Sequence, residues 1–400
     1  MSNLETRLLG LTFPNPFILA AGPMTGDAEK IIQAFDAGWG GAVLETIDLH
    51  PRARSVEAHE IRSGRVRWGR IGGEAESPLS LEQWQAEIDR IRDAYPGRPL
   101  IASIAGDGDA SSWGEVVRRL ELHGVDAFEI NAACPGFSLE GRPAKELGQD
   151  PAALAMAVGW ARAATDLPLI VKLTPNVTDI LPAARAALQA GADAFSATGG
   201  LSGIGGIDFD TFASLPSQGA GQLAGTYVGP GLRPVALRWT AVLAKALSAP
   251  IFGCGGVSTW QDAVEFLAVG ASAVQVGAAA LWGGVEIINA LTLGLESYLE
   301  EHAFDHAVDF IGKALPNIVG FDDLDLDYKL VATLDEARCI GCEICVQACM
   351  DGGFQAISML DKIAHIDVLK CDGCGLCVSV CPPDIITMIP REEGIARAAS

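Results

Sequence analysis

The sequence predicts an α/β protein in which a (β/α)8 TIM barrel, over residues 1–302, is followed by a small cysteine-rich C-terminal domain. Three observations predict it. Short branched apolar runs alternate with amphipathic segments along most of the chain. Glycines and polar residues that interrupt this pattern fall at the ends of the apolar runs. Eight of the ten cysteines gather in two short runs near the C-terminus.

The apolar runs read as eight strands: Phe17 to Ala21, Ala42 to Thr46, Leu100 to Ile104, Ala127 to Asn131, Leu167 to Leu173, Ala194 to Ala197, Ile251 to Gly253 and Ala273 to Val276. Between them, amphipathic stretches predict helices over Leu81 to Tyr95, Trp113 to His123, Pro151 to Thr165, Ile180 to Ala190, Pro234 to Leu247 and Gln261 to Val269. Gly124, Gly191 and Gly270 close three of these, where a left-handed cap suits glycine. Repeated strand–helix units suggest a closed parallel barrel, with an open doubly wound sheet as the rival. The barrel is favoured because Ala21-Gly22, Glu45, Asn131 to Pro135, Lys172, Thr198 to Gly200, Gly255-Gly256 and Gly277 all sit at predicted strand ends, so that one rim would collect them. A helix around Val285 to His302 leads into an acidic linker, residues 303–330, containing the run Phe321 to Tyr328. The cysteine-rich domain follows over 331–400, and its motif is the only internal duplication.

The cysteine runs are Cys339-x-x-Cys342-x-x-Cys345-x-x-x-Cys349 and Cys371-x-x-Cys374-x-x-Cys377-x-x-x-Cys381-Pro382. This is the ligand spacing of two [4Fe-4S] clusters in a ferredoxin-like domain, in which three thiolates of a run grip one cluster and the fourth crosses to the other. The sets are then Cys339, Cys342 and Cys345 with Cys381, and Cys371, Cys374 and Cys377 with Cys349. Zinc ribbons would need two CxxC pairs per ion, and disulfides an extracellular chain. Two adjacent clusters conduct single electrons, so the chain is expected to pass electrons to or from something else.

With 400 residues, 49% of them hydrophobic, the chain can bury one large core and a small appended module. No apolar run is long enough for a membrane span, and the start Met1 to Arg7 lacks the basic and apolar regions of a signal peptide. A cytoplasmic protein is expected, which suits oxygen-sensitive clusters. A formal charge of -22 argues against nucleic-acid binding.

Within the barrel, the glycines of Gly253 to Gly256 and Gly277 would let backbone amides approach an anion, and barrels place phosphates after their last strands. They could equally close tight turns. Lys172 ends a strand that otherwise reads Leu-Ile-Val, which would put an ammonium in the barrel mouth as a ligand group or a structural ion pair. Cys134 lies just past a strand end, before a proline and a polar stretch that could close as a lid. An ordinary thiol, with a pKa of about 8.5, is mostly protonated at neutral pH and can give a proton to a carbon receiving a hydride. It could also be a buried small hydrophobe. Cys254, inside a glycine run, reads as structural.

Together these residues resemble a family. The segments Phe13 to Phe17, Ala37 to Gly40, Ile101 to Ile104, Glu129-x-Asn131-x-x-Cys134-Pro135, Gly148-Gln149-x-Pro151, Lys172 to Asn176, Arg233 to Arg238, the Gly255-Gly256 turn and both cysteine runs are similar to the pyrimidine-reducing half of dihydropyrimidine dehydrogenases. The resemblance includes especially their stand-alone bacterial subunit of similar length and extends more distantly to dihydroorotate dehydrogenases. The resemblance implies an FMN-binding barrel that exchanges a hydride with a carbon–carbon bond beside a carbonyl. It gives Cys134 the role of general acid or base and Asn131 and Glu74 that of orienting substrate. Ala21, Gly22, Glu45, Lys172, Thr198, Gly229, Gly255, Gly256 and Gly277 would contact FMN. The clusters would exchange electrons with a partner flavoprotein that handles NAD(P)H, since no GxGxxG between a strand and a helix offers a nicotinamide site here. A homodimer or heterotetramer is implied.

Departures from the pattern are informative. Gly72 and Gly199 stand where asparagines are expected, Gly200 where a threonine is, and Ala133 where a serine is. Losing amide readers removes discrimination for polar edges, so the pocket is expected to be less polar and roomier. The substrate is then expected to be an activated alkene other than uracil or thymine. An ordinary dihydropyrimidine dehydrogenase subunit is one alternative, and an electron relay without substrate chemistry is another. Glu45 replaces a flavin-contacting lysine, and a carboxylate there would lower the flavin potential unless it points away or pairs with a cation.

Overall fold

The computed structural model describes residues 4–49, 58–72, 77–106, 108–133, 147–216, 225–325 and 329–398. It divides into two compact units, Met1–Ile318 and Val319–Ser400.

In the first unit the strands Phe17–Leu19, Gly41–Val43, Leu100–Ile104, Ala127–Asn131, Leu169–Leu173, Ala194–Ala197, Ile251–Cys254 and Ala273–Val276 run in sequence order around a closed barrel. The parallel pairing of Val274 with Phe17 joins the last strand to the first, which rules out the doubly wound alternative. Alternation along each strand explains the closure. One residue from every strand (Ile18, Val43, Ile101, Ala127, Ile170, Ala194, Phe252 and Ala273) meets in a single interior cluster. Leu8 and Phe13, from the N-terminal hairpin of Thr6–Leu8 and Leu11–Phe13, complete that cluster. Neighbours of opposite parity, such as Phe17, Phe128, Val171 and Phe195, join the larger core shared with the helices. Both strand faces are therefore buried, which is why these strands read as continuous apolar runs.

The helices Leu81–Ala94, Ala110–Glu121, Pro151–Arg162, Leu181–Gln189, Arg233–Ala246, Trp260–Ala268 and Ile287–Glu301 lie within about three residues of their predicted bounds. Ser80 and Thr259 start two of them with reciprocal capping by Gln83 and Asp262. Gly124, Gly191 and Gly270 are left-handed, at φ +87°, +108° and +102°. A further helix, Ala28–Ala37, begins at the Asp27 cap and ends at left-handed Gly38. Segment 303–318 packs on the barrel unit: Phe310 enters the core, and the amides of Gly312 and Ala314 donate to the carbonyls of Leu267 and Ala268. A four-stranded antiparallel sheet of Leu201–Gly203, Gly225–Val228, Val66–Gly72 and Ala58–Ser63 adds to the loops after the second and sixth strands.

The second unit repeats its helix and turn. Leu330–Leu334 pairs with Ile386–Pro390 and Ile357–Leu360 with Ile363–Ile366, around the helices Ile344–Asp351 and Leu376–Val380. No helix among the described residues is long and apolar enough to cross a membrane.

Candidate active site and cluster sites

Two residues beyond the apolar interior ring, the same strands turn polar. Ser103, Glu129, Lys172, Ser196 and Gln275 each follow an interior residue by two positions, so they form the next layer inside the barrel. Glu129 is fully buried. Its Oε1 accepts from Lys172 Nζ at 3.1 Å, and its Oε2 accepts from Ser196 Oγ and Gln275 Nε2, each at 2.6 Å. Lys172 also reaches Gln275 Oε1 at 3.4 Å. The ammonium anticipated at this strand end is thus present in the barrel and held by a carboxylate.

Around this layer the rim gathers several of the expected residues. The amide of Ala20 donates to Val276 O at 2.9 Å, bringing the Ala21-Gly22 turn beside Gly277. Gly255 and Gly256 have φ of +122° and +87°, and a Cβ on either would lie 2.8 Å from Ala236 Cβ or Arg233 N respectively. Glycine is required there by both backbone and space. The turn abuts the start of the helix Arg233–Ala246, an arrangement of backbone donors suited to a phosphate. Gly229, at φ +110°, precedes that helix, and its own Cβ would meet Gly69 Cα at 2.8 Å. Thr198 is buried, and its hydroxyl has no hydrogen-bond partner among the described residues. An orphaned hydroxyl, an ammonium and a glycine turn at one rim fit the polar groups of a flavin nucleotide.

Glu45 is turned toward the first loop. Its amide donates to Thr25 O at 3.1 Å, and a Cβ built on Gly26 would lie 3.1 Å from its Oε2. Burial pushes its carboxyl up, while a hydrogen bond from Ser77 and the charge of Lys30 work against that rise.

The substrate-side positions divide. Asn131 donates to Thr46 Oγ1 at 2.9 Å and accepts from the Ala133 amide at 3.3 Å, and Thr46 shares a 3.0 Å hydrogen bond with Ser103. Gly72 pairs with Thr226 across the added sheet. The roomier pocket expected from the glycines is not found at two of them. A Cβ on Gly199 would lie 2.2 Å from Ala133 Cβ, and one on Gly200 2.0 Å from Thr226 Cγ2. Neighbouring side chains have taken the space, so the loss of polarity stands without a gain of volume there. Asn176 is turned inward, donating to Gly200 O at 3.2 Å and accepting from the Ser202 amide at 2.9 Å. Cys134 and Glu74 lie outside the described residues. Thr226, Ser196 and Gln275 are not singled out by the sequence, and Glu129 enters there only as part of a motif, without a role; the interior parity of residues 129, 196 and 275 is the available signal.

In the cysteine-rich unit the sulfurs form two groups. Cys339, Cys342, Cys345 and Cys381 line one cavity of about 320 Å³, open mouth included, with Leu334, Ile385 and Ile386. Cys349, Cys371, Cys374 and Cys377 line another of about 330 Å³, with Ala332, Ala356 and Ile357. Each run therefore lends its fourth cysteine to the other's cavity. Four sulfurs around each cavity match the ligand number of a [4Fe-4S] cluster. Burial pushes the Cys377 thiol up to about 11 and raises that of Cys345. Thiolates in such places need a cationic partner. The amides of Ala356 and Ala332 donate to the sulfurs of Cys349 and Cys371, at 3.2 and 3.5 Å.

Comparison with known proteins agrees with both units. The family model described as dihydroorotate dehydrogenase matches residues 3–299, and that of the 4Fe-4S dicluster domain matches residues 332–388. The chain is 32% identical over 369 residues to the NAD-dependent dihydropyrimidine dehydrogenase subunit PreA of Escherichia coli, covering 90% of this chain and 88% of that protein. It is 31% identical to the chloroplastic dihydropyrimidine dehydrogenase (NADP(+)) of Arabidopsis thaliana, over 80% of this chain and 79% of the other. It is 37% identical to the catalytic subunit of dihydroorotate dehydrogenase B (NAD(+)) of Pyrococcus furiosus, over 78% of this chain and 99% of that subunit.

Proposed function

This chain belongs to the dihydroorotate dehydrogenase family and carries a 4Fe-4S dicluster domain, and we propose that it acts on an activated carbon–carbon bond of a substrate other than uracil or thymine. It is a flavin-dependent oxidoreductase of CH–CH groups with FMN and 4Fe-4S clusters as its cofactors. When bound, FMN supplies hydride exchange and the clusters supply single-electron conduction.

Lys172, Thr198 and the Gly255-Gly256 turn would hold FMN, with Ala21, Gly22, Gly229 and Gly277 forming the backbone walls. Cys134 holds the proton that reaches or leaves the substrate carbon, and Asn131, fixed by Thr46, orients the substrate together with Glu74. The two cysteine sets lining separate cavities would each hold one cluster. The observation that carries the substrate reading is the filling of the space beside Gly199 and Gly200 by Ala133 and Thr226. The Ala133 and Thr226 methyl groups that occupy this space offer no partner to an amide edge, and an unmatched polar edge is costly to bury. Electrons pass to or from a separate NAD(P)H-oxidising flavoprotein subunit, in keeping with the names of two of the relatives as subunits. We place this assembly, a dimer or heterotetramer, in the cytoplasm.

The test is anaerobic purification with flavin, iron and sulfide quantitation, followed by addition of uracil, thymine and their dihydro forms. Bound FMN whose spectrum does not respond is expected. Reduction or reoxidation by a pyrimidine pair would instead make the chain an ordinary dihydropyrimidine dehydrogenase subunit, the reading favoured by its similarity to two such enzymes.

Glu45, beside the first-strand loop, is proposed to keep the flavin potential low by placing a carboxylate where relatives place a lysine. Glu45→Lys is expected to raise the FMN midpoint, measured by spectroelectrochemistry; an unchanged midpoint removes Glu45 as a tuning group.

A further inference from the structure

Among the described residues, every hydrogen-bond partner of the Glu129 carboxylate is a donor. Lys172 Nζ lies at 3.1 Å, Ser196 Oγ at 2.6 Å and Gln275 Nε2 at 2.6 Å. Gln275 fixes its own orientation: its Nε2 faces Glu129 and, at 2.9 Å, Ser196 Oγ, while its Oε1 faces the ammonium at 3.4 Å. The Ser196 hydroxyl accepts from Gln275 and so turns its proton to Glu129. Four strands each contribute one member of this group, and Glu129 is at 0% exposure. Three donors converge on this buried side chain, and the ion pair it makes is with Lys172, at 3.1 Å.

We propose that Glu129 is a positioning residue for the flavin reaction: it pins the Lys172 ammonium in the barrel mouth and cancels its charge, so that bound FMN faces a neutral pair. The inference rests on the reading that Lys172 contacts FMN. A lone ammonium beside a flavin favours the anionic reduced form and raises the potential. A compensated one orients and donates hydrogen bonds with little of that bias. Ser196 and Gln275 make the arrangement rigid, since moving the carboxylate would strand three buried donors. Together with Glu45 in place of a lysine, the pair gives a flavin of low potential.

The experiment measures FMN content and flavin midpoint in the purified holoenzyme for the wild type, Glu129→Gln, Lys172→Met and the double variant. Glu129→Gln is expected to shift the midpoint upward and Lys172→Met downward, with the double variant returning close to the wild type. An unchanged midpoint in Glu129→Gln, or a shift in the same direction as Lys172→Met, overturns the inference. Removing one member of a buried pair can unfold a protein, whereas replacing both with neutral groups is tolerated far better. Should Glu129→Gln not fold, the double variant decides: a midpoint near the wild type supports charge compensation, and one displaced as far as Lys172→Met alone overturns it. If Lys172→Met changes neither FMN content nor midpoint, the flavin role of Lys172 itself fails, and that failure is distinct from one confined to Glu129.

Discussion

Replacing Cys134 with alanine is expected to lower turnover by about 10²- to 10⁴-fold, the usual contribution of a positioned general acid or base. FMN and both clusters should stay at wild-type content, because no proposed cofactor ligand is touched. The discriminating measurement is electron flux from the reduced partner flavoprotein, or from a chemical reductant, through the clusters to FMN, followed alongside substrate turnover. An enzyme that uses the Cys134 thiol keeps the first and loses the second. A relay without its own substrate chemistry loses neither, and that result would move the chain to the electron-transfer reading. Cys134→Ser sharpens the test, since a hydroxyl is a much weaker acid than a thiol and should restore little of the rate.

The barrel was legible because its strands are buried on both faces. Ile170 faces the interior and Val171 the helices, so both must be apolar, and the strand reads as one run. The rim was legible for the complementary reason: Gly255 and Gly256 occupy backbone conformations that only glycine adopts readily. The added four-stranded sheet was not legible. Its strands come from loops far apart in sequence, and Val66 and Trp68 are exposed, so the alternation that marks a half-buried strand is missing. The helix Ala28–Ala37 is not among the predicted elements, although Asp27 and Gly38 bracket it with cap residues at both ends. Cysteine spacing specified the crossed sets, and the two cavities group the same sulfurs.

The buried polar group shows where sequence reasoning stops. Ser196 and Gln275 look like ordinary polar interruptions in apolar strands, yet they meet Glu129 across separations of 67 and 146 residues. Parity indicates that these side chains point inward. Only barrel closure indicates that they point at one another, because strand tilt and stagger decide which members of a layer touch. Lys172 was readable as an ammonium in the mouth, whereas its neutralisation by Glu129 is a property of the closed sheet.

Gly200→Thr, which puts back the side chain that pyrimidine-reducing relatives are expected to carry, should destabilise the protein instead of creating pyrimidine binding. Its Cβ would lie 2.0 Å from Thr226 Cγ2, and Gly199→Asn would bring a Cβ within 2.2 Å of Ala133 Cβ. Overpacking of this kind typically costs about 1–3 kcal/mol, since backbone or side chains must leave their preferred positions. A lowered Tm, read by thermal unfolding of the holoenzyme, is expected for each variant. Pairing Gly200→Thr with Thr226→Ala should recover part of the loss, because the second change removes the nearest methyl group, while Tyr227 O and Val228 Cγ1 still lie 3.0 Å from the new Cβ. That recovery is the decisive part: if the double variant is no more stable than Gly200→Thr alone, the two positions do not share one volume and the wall of the site is built differently. If stability returns and uracil still leaves the flavin spectrum unchanged, then polarity at residue 200 alone does not set the substrate. Discrimination would then rest with the other substrate-side positions, among them Gly72 and the Gly199–Ala133 pair, in which a Cβ on the glycine would lie 2.2 Å from the alanine methyl group.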